Sequence, residues 1–373
     1  MPIQVDARFD SGNIEVRDLS DPAALRLAIR PDTNSPHLQW FHFRATGLEP
    51  GQPYRFVLEN AGQATFNDGW PGYRAVASEN GQDWFRVPTQ YDGQALTIEA
   101  HPTGEALSVA YFEPYTRTRH AELIQRALAG GAALHAEGSS AQGRPIELLR
   151  AGSGPLAIWV IAQQHPGEHM AEWFMEGLME RLLDSSASSE ALLSQATFYL
   201  IPNMNPDGAF LGHLRTNFHG VDLNRAWQDP DPVQAPEVYF AHQQMQLNGV
   251  DLFIDAHGDE AIPHVFTAAC EGNPGYTPRL AGLESRFRDL LCEQTRDFQQ
   301  VHGYPRSAPG KANPALACHA VGQRYDCLAL TLEMPFKDHD DAPSPQTGWN
   351  GARSARLGGD VLHVISQLLG DLR

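Results

Sequence analysis

The pattern of apolar and polar positions divides the chain near residue 114. Up to Glu113 the apolar residues occur in short runs that alternate with polar residues, which is the period of half-buried β-strands. The clearest of these runs are Ile14–Arg17, Leu38–Phe43, Tyr54–Leu58 and Ala95–Ile98. About seven or eight strands at this spacing predict an all-β sandwich over residues 1–113.

Two features of this first segment carry more specific expectations. The Asn80-Gly81 pair lies between two apolar runs and is typical of a tight β-hairpin turn, in which both central residues take positive φ. The tryptophans of this segment could form a platform for a carbohydrate or a peptide. Aromatic side chains bury the most area per residue, however, so we expect Trp40, Trp70 and Trp84 in the core.

After Pro114, uniformly apolar runs alternate with helical patterns. Such runs are typical of strands that are buried on both faces of a sheet, and they are Leu156–Ile161, Thr197–Ile201, Asp251–Ile254 and Leu328–Leu332. Between the first two, apolar residues recur every three or four positions from Met170 to Leu182, which predicts a helix. This order predicts an α/β fold over residues 114–373, with a mixed, largely parallel sheet flanked by helices.

Polar residues at the carboxyl ends of these strands are the candidate site residues, because ligands of such sheets bind there. His165 and Glu168 follow Leu156–Ile161 in the sequence His-Pro-Gly-Glu, and His257 follows Asp251–Ile254. Two imidazoles and one carboxylate are the ligands of a catalytic zinc site whose fourth position is open to water. We therefore expect His165, Glu168 and His257 to bind one Zn²⁺ ion.

The His-x-x-Glu spacing alone is weak evidence, because His169–Glu172 and His257–Glu260 share it. His169 and Glu172 fall inside the predicted helix, where we expect an ordinary surface hydrogen bond between them. His257 by itself could be a core histidine hydrogen-bonded to backbone. Its combination with His165 and Glu168 favours a metal ligand.

Further polar residues lie at the same sheet edge or between the metal-ligand motifs. Glu333 directly follows Leu328–Leu332, and Pro335 ends that strand. In this position Glu333 could act as a general base or simply pair with an exposed Lys or Arg.

Arg215 and Arg225 lie in a turn-rich stretch. They could clamp a carboxylate with parallel hydrogen bonds or form salt bridges, and the residues alone leave this open.

Five ordered motifs resemble those of the zinc carboxypeptidase family, and within it the cytosolic carboxypeptidase-like branch. They are His-Pro-Gly-Glu at 165–168, Asn-Pro-Asp-Gly at 205–208, Asp-Leu-Asn-Arg at 222–225, Asp-Ala-His-Gly at 255–258 and Thr-Leu-Glu at 331–333. The resemblance extends from about Pro114 to the C-terminus. The strand-rich N-terminal segment also resembles the β-sandwich that precedes the catalytic domain in that branch.

The resemblance implies a zinc-dependent metallocarboxypeptidase that hydrolyses the C-terminal peptide bond of peptides or protein tails. It implies zinc ligation by the two histidines and the glutamate named above, with Glu333 as general base and then acid. Arg215 would polarise the scissile carbonyl and stabilise the oxyanion. Asn224 and Arg225 would bind the terminal carboxylate of the substrate.

The chain departs from the family pattern at two places. Gly167 stands where many digestive relatives have an arginine, so one anchoring contact is absent. The tyrosine that often covers the substrate has two candidates here, Tyr304 and Tyr325.

The branch is associated with removal of glutamates from acidic tails, so the resemblance also implies a preference for acidic C-terminal residues. A basic pocket would be needed to overcome repulsion by an acidic protein. Arg306, Lys311 and Arg324 precede Glu333 and could line it, or they could be solvent-facing counter-charges.

The net charge of the chain excludes some classes of binding partner. The chain has 27 Lys+Arg and 45 Asp+Glu, a net charge of −18, which repels phosphate backbones and anionic lipids, so we expect neither a nucleic-acid nor a membrane partner. The start of the sequence has no basic run followed by an apolar stretch, so we expect no secretory signal, and no apolar segment approaches the roughly 20 residues that span a bilayer. We expect a cytoplasmic protein whose four cysteines, Cys270, Cys292, Cys318 and Cys327, are reduced core residues.

Two alternatives stay open at this stage. The same fold and metal could serve an amidohydrolase that deacylates N-acyl amino acids, although the sandwich and Asp-Leu-Asn-Arg followed by Ala-Trp favour the peptidase. Alternatively, the chain could be a non-catalytic peptide-binding module. The presence of every ligand and of the base argues against that.

Overall fold

The first part of the chain forms two packed β-sheets in a computed structural model that describes residues 2–372. Both sheets have five strands, and Phe43 of one contacts Phe56 of the other with ring centroids 5.2 Å apart. The first sheet, in spatial order, contains β1 (Gln4–Asp6), β4 (His42–Thr46), β10 (Ala106–Ala110), β6 (Val76–Ser78) and β7 (Phe85–Arg86). The second contains β2 (Glu15–Asp18), β3 (Leu25–Ala28), β5 (Tyr54–Leu58), β9 (Leu96–Ala100) and β8 (Thr89–Tyr91). The expected sandwich is confirmed, with more and shorter strands than the pattern predicted.

The second part is built on a seven-stranded mixed sheet. In spatial order its strands are β11 (Ala133–Ser139), β12 (Pro145–Gly152), β14 (Ala196–Ile201), β13 (Leu156–Ala162), β15 (Leu252–Asp259), β17 (Leu328–Pro335) and β16 (Phe266–Ala269). The four strands β14, β13, β15 and β17 are parallel, and the others pair antiparallel at the two edges. This confirms the predicted α/β fold.

Helices cover both faces of this sheet. They are α1 (Arg117–Ala129), α2 (Met170–Leu182), α3 (Ala187–Gln195), α4 (Pro206–Leu211), α5 (Pro236–Asn248), α6 (Pro278–Gln294), α7 (Ala317–Tyr325) and α8 (Gly351–Leu368). Alternate residues of β13 point to opposite faces, so Ile158 packs in the core that contains α2, α6 and α8, and Trp159 packs in the core that contains α5 and α7. Within residues 2–372 no helix is both long and apolar enough to cross a bilayer.

The sandwich and the first of these cores are continuous. Tyr111, just after β10, stacks on Phe336, just after β17, with ring centroids 4.5 Å apart. The buried Arg86 of β7 donates through Nη2 to the carbonyls of Phe336 and Trp349 at 2.7 and 2.9 Å. Packing and hydrogen bonds therefore fix the two parts against each other.

Several local expectations are corrected. The Asn80-Gly81 segment does connect the antiparallel pair β6–β7, but the connection is longer than two residues and only Gly81 has positive φ. Trp40 and Trp70 are buried as expected, whereas Trp84 is only partly buried. Among the cysteines, Cys292 is exposed and the other three are buried, and all four are free thiols.

The prediction of a surface hydrogen bond between His169 and Glu172 is wrong. Both side chains are about 1% exposed, because the sandwich covers this end of α2. His169 lies against the ring of Trp40 and accepts a hydrogen bond from the backbone N–H of Tyr115, whereas Glu172 contacts His120. The two residues have separate structural partners.

Candidate metal centre and active site

The carboxyl ends of β13 and β15 bring three metal-binding side chains together. His165 and Glu168 lie on the connection from β13 to α2, and His257 lies within β15, which continues past Ile254 to Asp259. The two histidine Nδ1 atoms are 3.2 Å apart, and Glu168 Oε1 lies 2.7 Å from His165 Nδ1 while Glu168 Oε2 lies 2.7 Å from His257 Nδ1. All three side chains are buried, so the donors converge without support from solvent.

A carboxylate holds the other nitrogen of each imidazole. His165 Nε2 lies 3.0 Å from Asp222 Oδ1, and His257 Nε2 lies 2.9 Å from Asp255 Oδ2. A proton on Nε2 that is shared with a carboxylate leaves the Nδ1 lone pair free for a metal ion. The donors therefore fit one zinc ion, with three protein ligands and a fourth position toward the cavity that His165 and Glu168 line.

The charges around these donors favour a cation. Burial raises the pKa of Glu168, but the imidazoles of His165 and His257 outweigh burial and hold that pKa well below its usual range. Burial also raises the pKa of Asp222, and again His165 and then Arg215 outweigh it and hold the pKa well below its usual range. Both carboxyls are anionic at neutral pH.

Glu260, which shares the His-x-x-Glu spacing with His257, behaves differently from Glu168. Burial raises its pKa well above the usual range, and the carboxylates of Glu168 and Asp259 add to this rise. Its carboxyl is not grouped with the three convergent donors. Of the three matching spacings, only His165–Glu168 places both members at the metal centre.

Glu333 lies within β17 and not after it, because that strand continues to Pro335. It is the register partner of His257 on β15, and it lines the same cavity. Its Oε2 is buried and has no hydrogen-bond partner among the described residues. Burial raises the pKa of Glu333 to about 8, although His257 acts in the opposite direction. A carboxyl with a pKa near neutrality can accept a proton and release it again.

Of the two candidate tyrosines, Tyr304 is the one at this centre. Its hydroxyl donates to Asp259 Oδ2 at 2.7 Å and lies 3.3 Å from Glu333 Oε1. Burial and then the charge of Glu333 raise its pKa far above the usual range, so it remains a hydrogen-bond donor. Tyr325, at the end of α7, is not among the residues that line the cavity.

Arg215 enters the cavity from the chain that follows α4. Its Nε donates to Asp222 Oδ2 at 2.8 Å, and its guanidinium carbon lies 5.2 Å from the ring centre of Phe66, a residue of the sandwich. The side chain is only 13% exposed. Asp222 therefore connects Arg215 to the metal donor His165.

The backbone that carries Arg215 is held by Asp32, which follows β3 in the sandwich. The Asp32 carboxylate accepts from the backbone N–H groups of Leu214, Arg215 and Thr216 at 2.7, 2.8 and 2.9 Å. It also accepts from the Thr216 hydroxyl at 3.1 Å. Asp32 is 3% exposed, so these hydrogen bonds are shielded from water.

Asn224 and Arg225 form one short 3₁₀ turn with Leu223 and also line the cavity. Asn224 Oδ1 accepts from the backbone N–H of Ala317 at 2.8 Å, and its Nδ2 lies 3.5 Å from His257 Nε2. Arg225 Nη1 donates to the Asn224 carbonyl at 2.8 Å, and its side chain is 47% exposed. An amide and a guanidinium thus face the cavity beside the metal donors.

The cavity itself has a volume of about 800 Å³. Away from the metal donors, Arg288 and Arg306 line it, and both pair with the buried carboxylate of Glu284. Glu271 also lines it, and its Oε2 is buried without a hydrogen-bond partner among the described residues. Of the three basic residues proposed from sequence for this pocket, only Arg306 lines the cavity, whereas Lys311 and Arg324 are exposed elsewhere.

Sequence reasoning missed four residues that shape this site. Asp222 and Asp255 lie inside the motifs used above, so a search for carboxylates next to metal-binding histidines could have found them. Arg288 lies on the face of α6 that pairs with Glu284, at a spacing that is common on helices. Asp32 lies 182 residues before Leu214, and no local signal joins the two.

Comparison with known proteins gives matches along nearly the whole chain. Residues 5–112 match the cytosolic carboxypeptidase N-terminal domain, and residues 120–258 match the zinc carboxypeptidase family. A metallo-carboxypeptidase of Pseudomonas aeruginosa, solved in complex with (2-guanidinoethylmercapto)succinic acid, is 59% identical with a TM-score of 0.97, over 99% of this chain and 100% of that one.

Two further relatives extend the comparison. A metallo-carboxypeptidase of Burkholderia cenocepacia is 40% identical with a TM-score of 0.94, over 98% of each chain. Mouse cytosolic carboxypeptidase 6 is 26% identical over 79% of this chain, which spans 59% of the mouse protein.

Proposed function

Because this chain belongs to the zinc carboxypeptidase family and is a metallocarboxypeptidase, we propose that it removes one residue from the C-terminus of peptides or protein tails. The observation that carries the proposal is the buried, unpartnered Glu333 Oε2 beside His257, one of three convergent zinc donors. The solved relatives extend over the sandwich as well as the α/β part, which favours a peptidase over the deacylase alternative.

We assign zinc to His165, Glu168 and His257. When bound, zinc lowers the pKa of a water molecule and polarises a carbonyl oxygen. The chain's contribution is to fix the two imidazoles through Asp222 and Asp255, so that both Nδ1 lone pairs stay directed at the same point.

Glu333 is the proposed general base and then acid. Its carboxylate accepts the proton of the attacking water and passes it to the leaving nitrogen. The raised pKa, about 8, suits both steps, because a strongly acidic carboxyl would accept the proton too weakly. The Tyr304 hydroxyl, 3.3 Å from Glu333 Oε1, would exchange its hydrogen bond to Asp259 for one to the substrate near the base.

The guanidinium groups orient the substrate. Arg215 is the proposed donor to the scissile carbonyl oxygen, where it would stabilise the negative charge that develops. Asn224 and Arg225 are the proposed partners of the terminal carboxylate, which a guanidinium can bind with two parallel hydrogen bonds. Binding of the terminal carboxylate by these two residues would restrict cleavage to the last residue, because only a chain end carries that carboxylate.

We propose that the residue removed is acidic, since Arg288 and Arg306 line the cavity away from the metal donors. Glu284 pairs with both, but the Arg306 side chain is 55% exposed and can turn toward a substrate. A basic residue is the second candidate. It is favoured by the unpartnered Oε2 of Glu271 and by the guanidino compound bound to the Pseudomonas relative.

The proposed domains are an N-terminal β-sandwich at 1–113 and a catalytic domain at 114–373. A cytoplasmic location is proposed from the name of the cytosolic carboxypeptidase relatives.

The Glu333→Gln variant tests the proposed base. Its kcat for release of a C-terminal residue is expected to fall by about 10²- to 10⁴-fold, because the amide cannot accept the proton. Zinc content, measured by elemental analysis, should stay at the wild-type value. The exposed Glu105→Gln is the matched control. Retention of more than half of the wild-type kcat by Glu333→Gln would reject Glu333 as the base. Separately, if the wild-type enzyme hydrolysed N-acetyl amino acids and released no C-terminal residue from peptides, the deacylase alternative would be favoured.

A panel of blocked peptides that differ only in the last residue tests the specificity. Preference for Glu and Asp over Leu and Lys supports the acidic pocket, and Arg306→Gln should then raise KM for the acidic peptides. Preference for Lys and Arg would instead indicate that Glu271 binds the side chain of the last residue. A Glu271→Gln variant should then lose the preference for basic residues.

A further inference from the structure

A second group of metal-binding side chains lies apart from the three zinc donors described above. His264, His339 and Asp341 each bring one ligand atom to within 4.8 Å of the others. His264 and His339 are buried, at 5% and 0% exposure, whereas the Asp341 side chain is 55% exposed. The group lies at the protein surface and opens to solvent on the Asp341 side.

The Nδ1 atom of His264 is the strongest sign of a missing ligand. It is buried and has no hydrogen-bond partner among residues 2–372. The Asp341 Oδ2 atom lies 3.2 Å away, yet the two atoms lack the alignment of a hydrogen bond. A buried polar nitrogen without a partner destabilises the folded chain, so a ligand that used the lone pair of this nitrogen would be favoured.

His339 has the arrangement expected of a metal-binding imidazole. Its Nε2 donates to the backbone carbonyl of Asp297 at 2.7 Å, so its Nδ1 carries a lone pair. That Nδ1 accepts only a long hydrogen bond, of 3.2 Å, from the backbone N–H of Asp341. An ion can replace this weak contact, because Asp341 is exposed and its N–H can then be hydrated.

We propose that His264, His339 and Asp341 form a second site for a divalent transition-metal ion of the zinc class, distinct from the catalytic site. Two imidazole nitrogens and one carboxylate suit Zn²⁺, Co²⁺ or Ni²⁺, whereas Mg²⁺ and Ca²⁺ prefer sites made of oxygen atoms. Water completes the coordination on the open side. The exposure of Asp341 makes this ion more exchangeable than one at the buried catalytic site.

The ion would act on the wall of the active-site cavity. His302 stacks on His264 with ring centroids 4.1 Å apart, and it lies two residues before Tyr304, whose hydroxyl approaches Glu333. His339 and Asp341 lie on the segment that follows β17, which carries Glu333. An ion bound to His264, His339 and Asp341 would therefore join the β15–β16 connection, on which His302 stacks, to the segment that follows β17, so its role is to position residues and not to act on substrate.

Metal stoichiometry tests the proposal without relying on activity. The His165→Ala variant, which lacks one catalytic ligand, and the wild type are stripped with chelator, dialysed against buffered ZnCl₂ and analysed for zinc per chain. We expect two ions in the wild type. His165→Ala, His264→Ala and Asp341→Asn should each bind one ion. A chain that combines His165→Ala with either of the other two changes should bind none.

Asp341→Asn is the decisive variant, because an exposed side chain can change without unfolding the chain. Asp340→Asn, an exposed neighbour with the same change in charge, is the matched control and should keep two ions. In the His165→Ala background, ZnCl₂ should raise the thermal midpoint, and Asp341→Asn should remove that rise. One ion in the wild type at saturating ZnCl₂ would overturn the proposal. Two ions that persist in both His264→Ala and Asp341→Asn would place the second ion elsewhere and overturn it equally.

Discussion

The Asp32→Asn variant tests whether the sandwich contributes to catalysis by positioning Arg215. In the wild type, Asp32 Oδ2 accepts from the N–H groups of Arg215 and Thr216 and from the Thr216 hydroxyl, while Oδ1 accepts from the Leu214 N–H. An asparagine that keeps its oxygen at the Oδ2 position turns its NH₂ group toward the Leu214 N–H. Two donors then face each other in a buried place.

The magnitude follows from that lost acceptor. A buried N–H left without a partner costs about 1–3 kcal/mol, and the bonds that remain lose the strength that a charged acceptor gives. We expect the free energy of unfolding to fall by about that amount. If the segment instead shifts to relieve the clash, Arg215 moves, and each 1.4 kcal/mol of lost transition-state stabilisation lowers the rate about tenfold.

The assay is steady-state hydrolysis of a blocked peptide together with urea denaturation. We expect kcat/KM of Asp32→Asn to fall about 10- to 100-fold, mainly through kcat, because Arg215 is the proposed donor to the scissile carbonyl. Asp18→Asn, an exposed aspartate of the same sandwich, is the control and should leave both quantities unchanged. The double variant with Arg215→Ala should be no slower than Arg215→Ala alone, since the effect of Asp32 passes through Arg215.

Two outcomes would refute this reasoning. Unchanged kcat/KM with reduced stability would make Asp32 a structural residue only. Additive losses in the double variant would mean that Asp32 affects catalysis by a route other than Arg215.

Three further predictions follow from other parts of the molecule. Asp255→Asn should weaken zinc binding about 10- to 100-fold by chelator competition, because the amide holds the Nε2 proton of His257 less strongly; unchanged affinity would count against the assigned ligand. Burial lowers the pKa of His42 to about 3, so the unfolded chain takes up a proton below pH 6.5 that the folded chain does not. Stability should therefore fall by about 1.4 kcal/mol per pH unit from this residue as the pH drops from 6.5 toward 3, and His42→Gln should flatten the dependence in urea denaturation at pH 7 and 5. Gly177→Ala should cost about 1–3 kcal/mol in the same assay, since a Cβ there would lie 1.9 Å from the carbonyl oxygen of Ala355, whereas Gly359→Ala, with its nearest neighbour 3.9 Å away, should not destabilise the chain.

The central strands were predictable because burial on both faces leaves a simple signature. Leu156–Ile161 is apolar at every position, and the structure places β13 there. The edge strands were not predictable in the same way. None of the seven residues of β11 is buried, since five are exposed and two are partly buried, so the sequence of this strand lacks the apolar face that identifies a strand.

The ends of β15 and β17 were misjudged for a functional reason. Both strands continue through polar residues that are buried, among them His257 and Glu333. Polarity inside a buried strand normally marks its end, and here it marks the site. The same residues that made the chemistry recognisable therefore made the strand boundaries wrong.

The candidate site was predictable only where its parts are local or share one sheet edge. His165 and Glu168 are three residues apart, and the strand-end rule brings His257 to the same edge of the sheet. His169 shows the limit of such reasoning. A polar residue at the start of a helix is expected to be exposed. The residues next to His169 in the sequence do not indicate that Trp40 covers it.

Residues of the sandwich also contribute to the candidate site in the α/β part. Phe66 lies against Arg215, Asp32 holds the backbone of Arg215, and Arg86 holds the chain that follows β17. Each of these residues belongs to the sandwich, and each acts on a segment that carries or adjoins a residue of the cavity. Since the hydrophobic core also runs through both parts, a displacement of the sandwich would have to break buried contacts as well as these hydrogen bonds. The sandwich therefore holds in place the segments that carry the candidate site residues, and a variant in either part can change the geometry of the cavity.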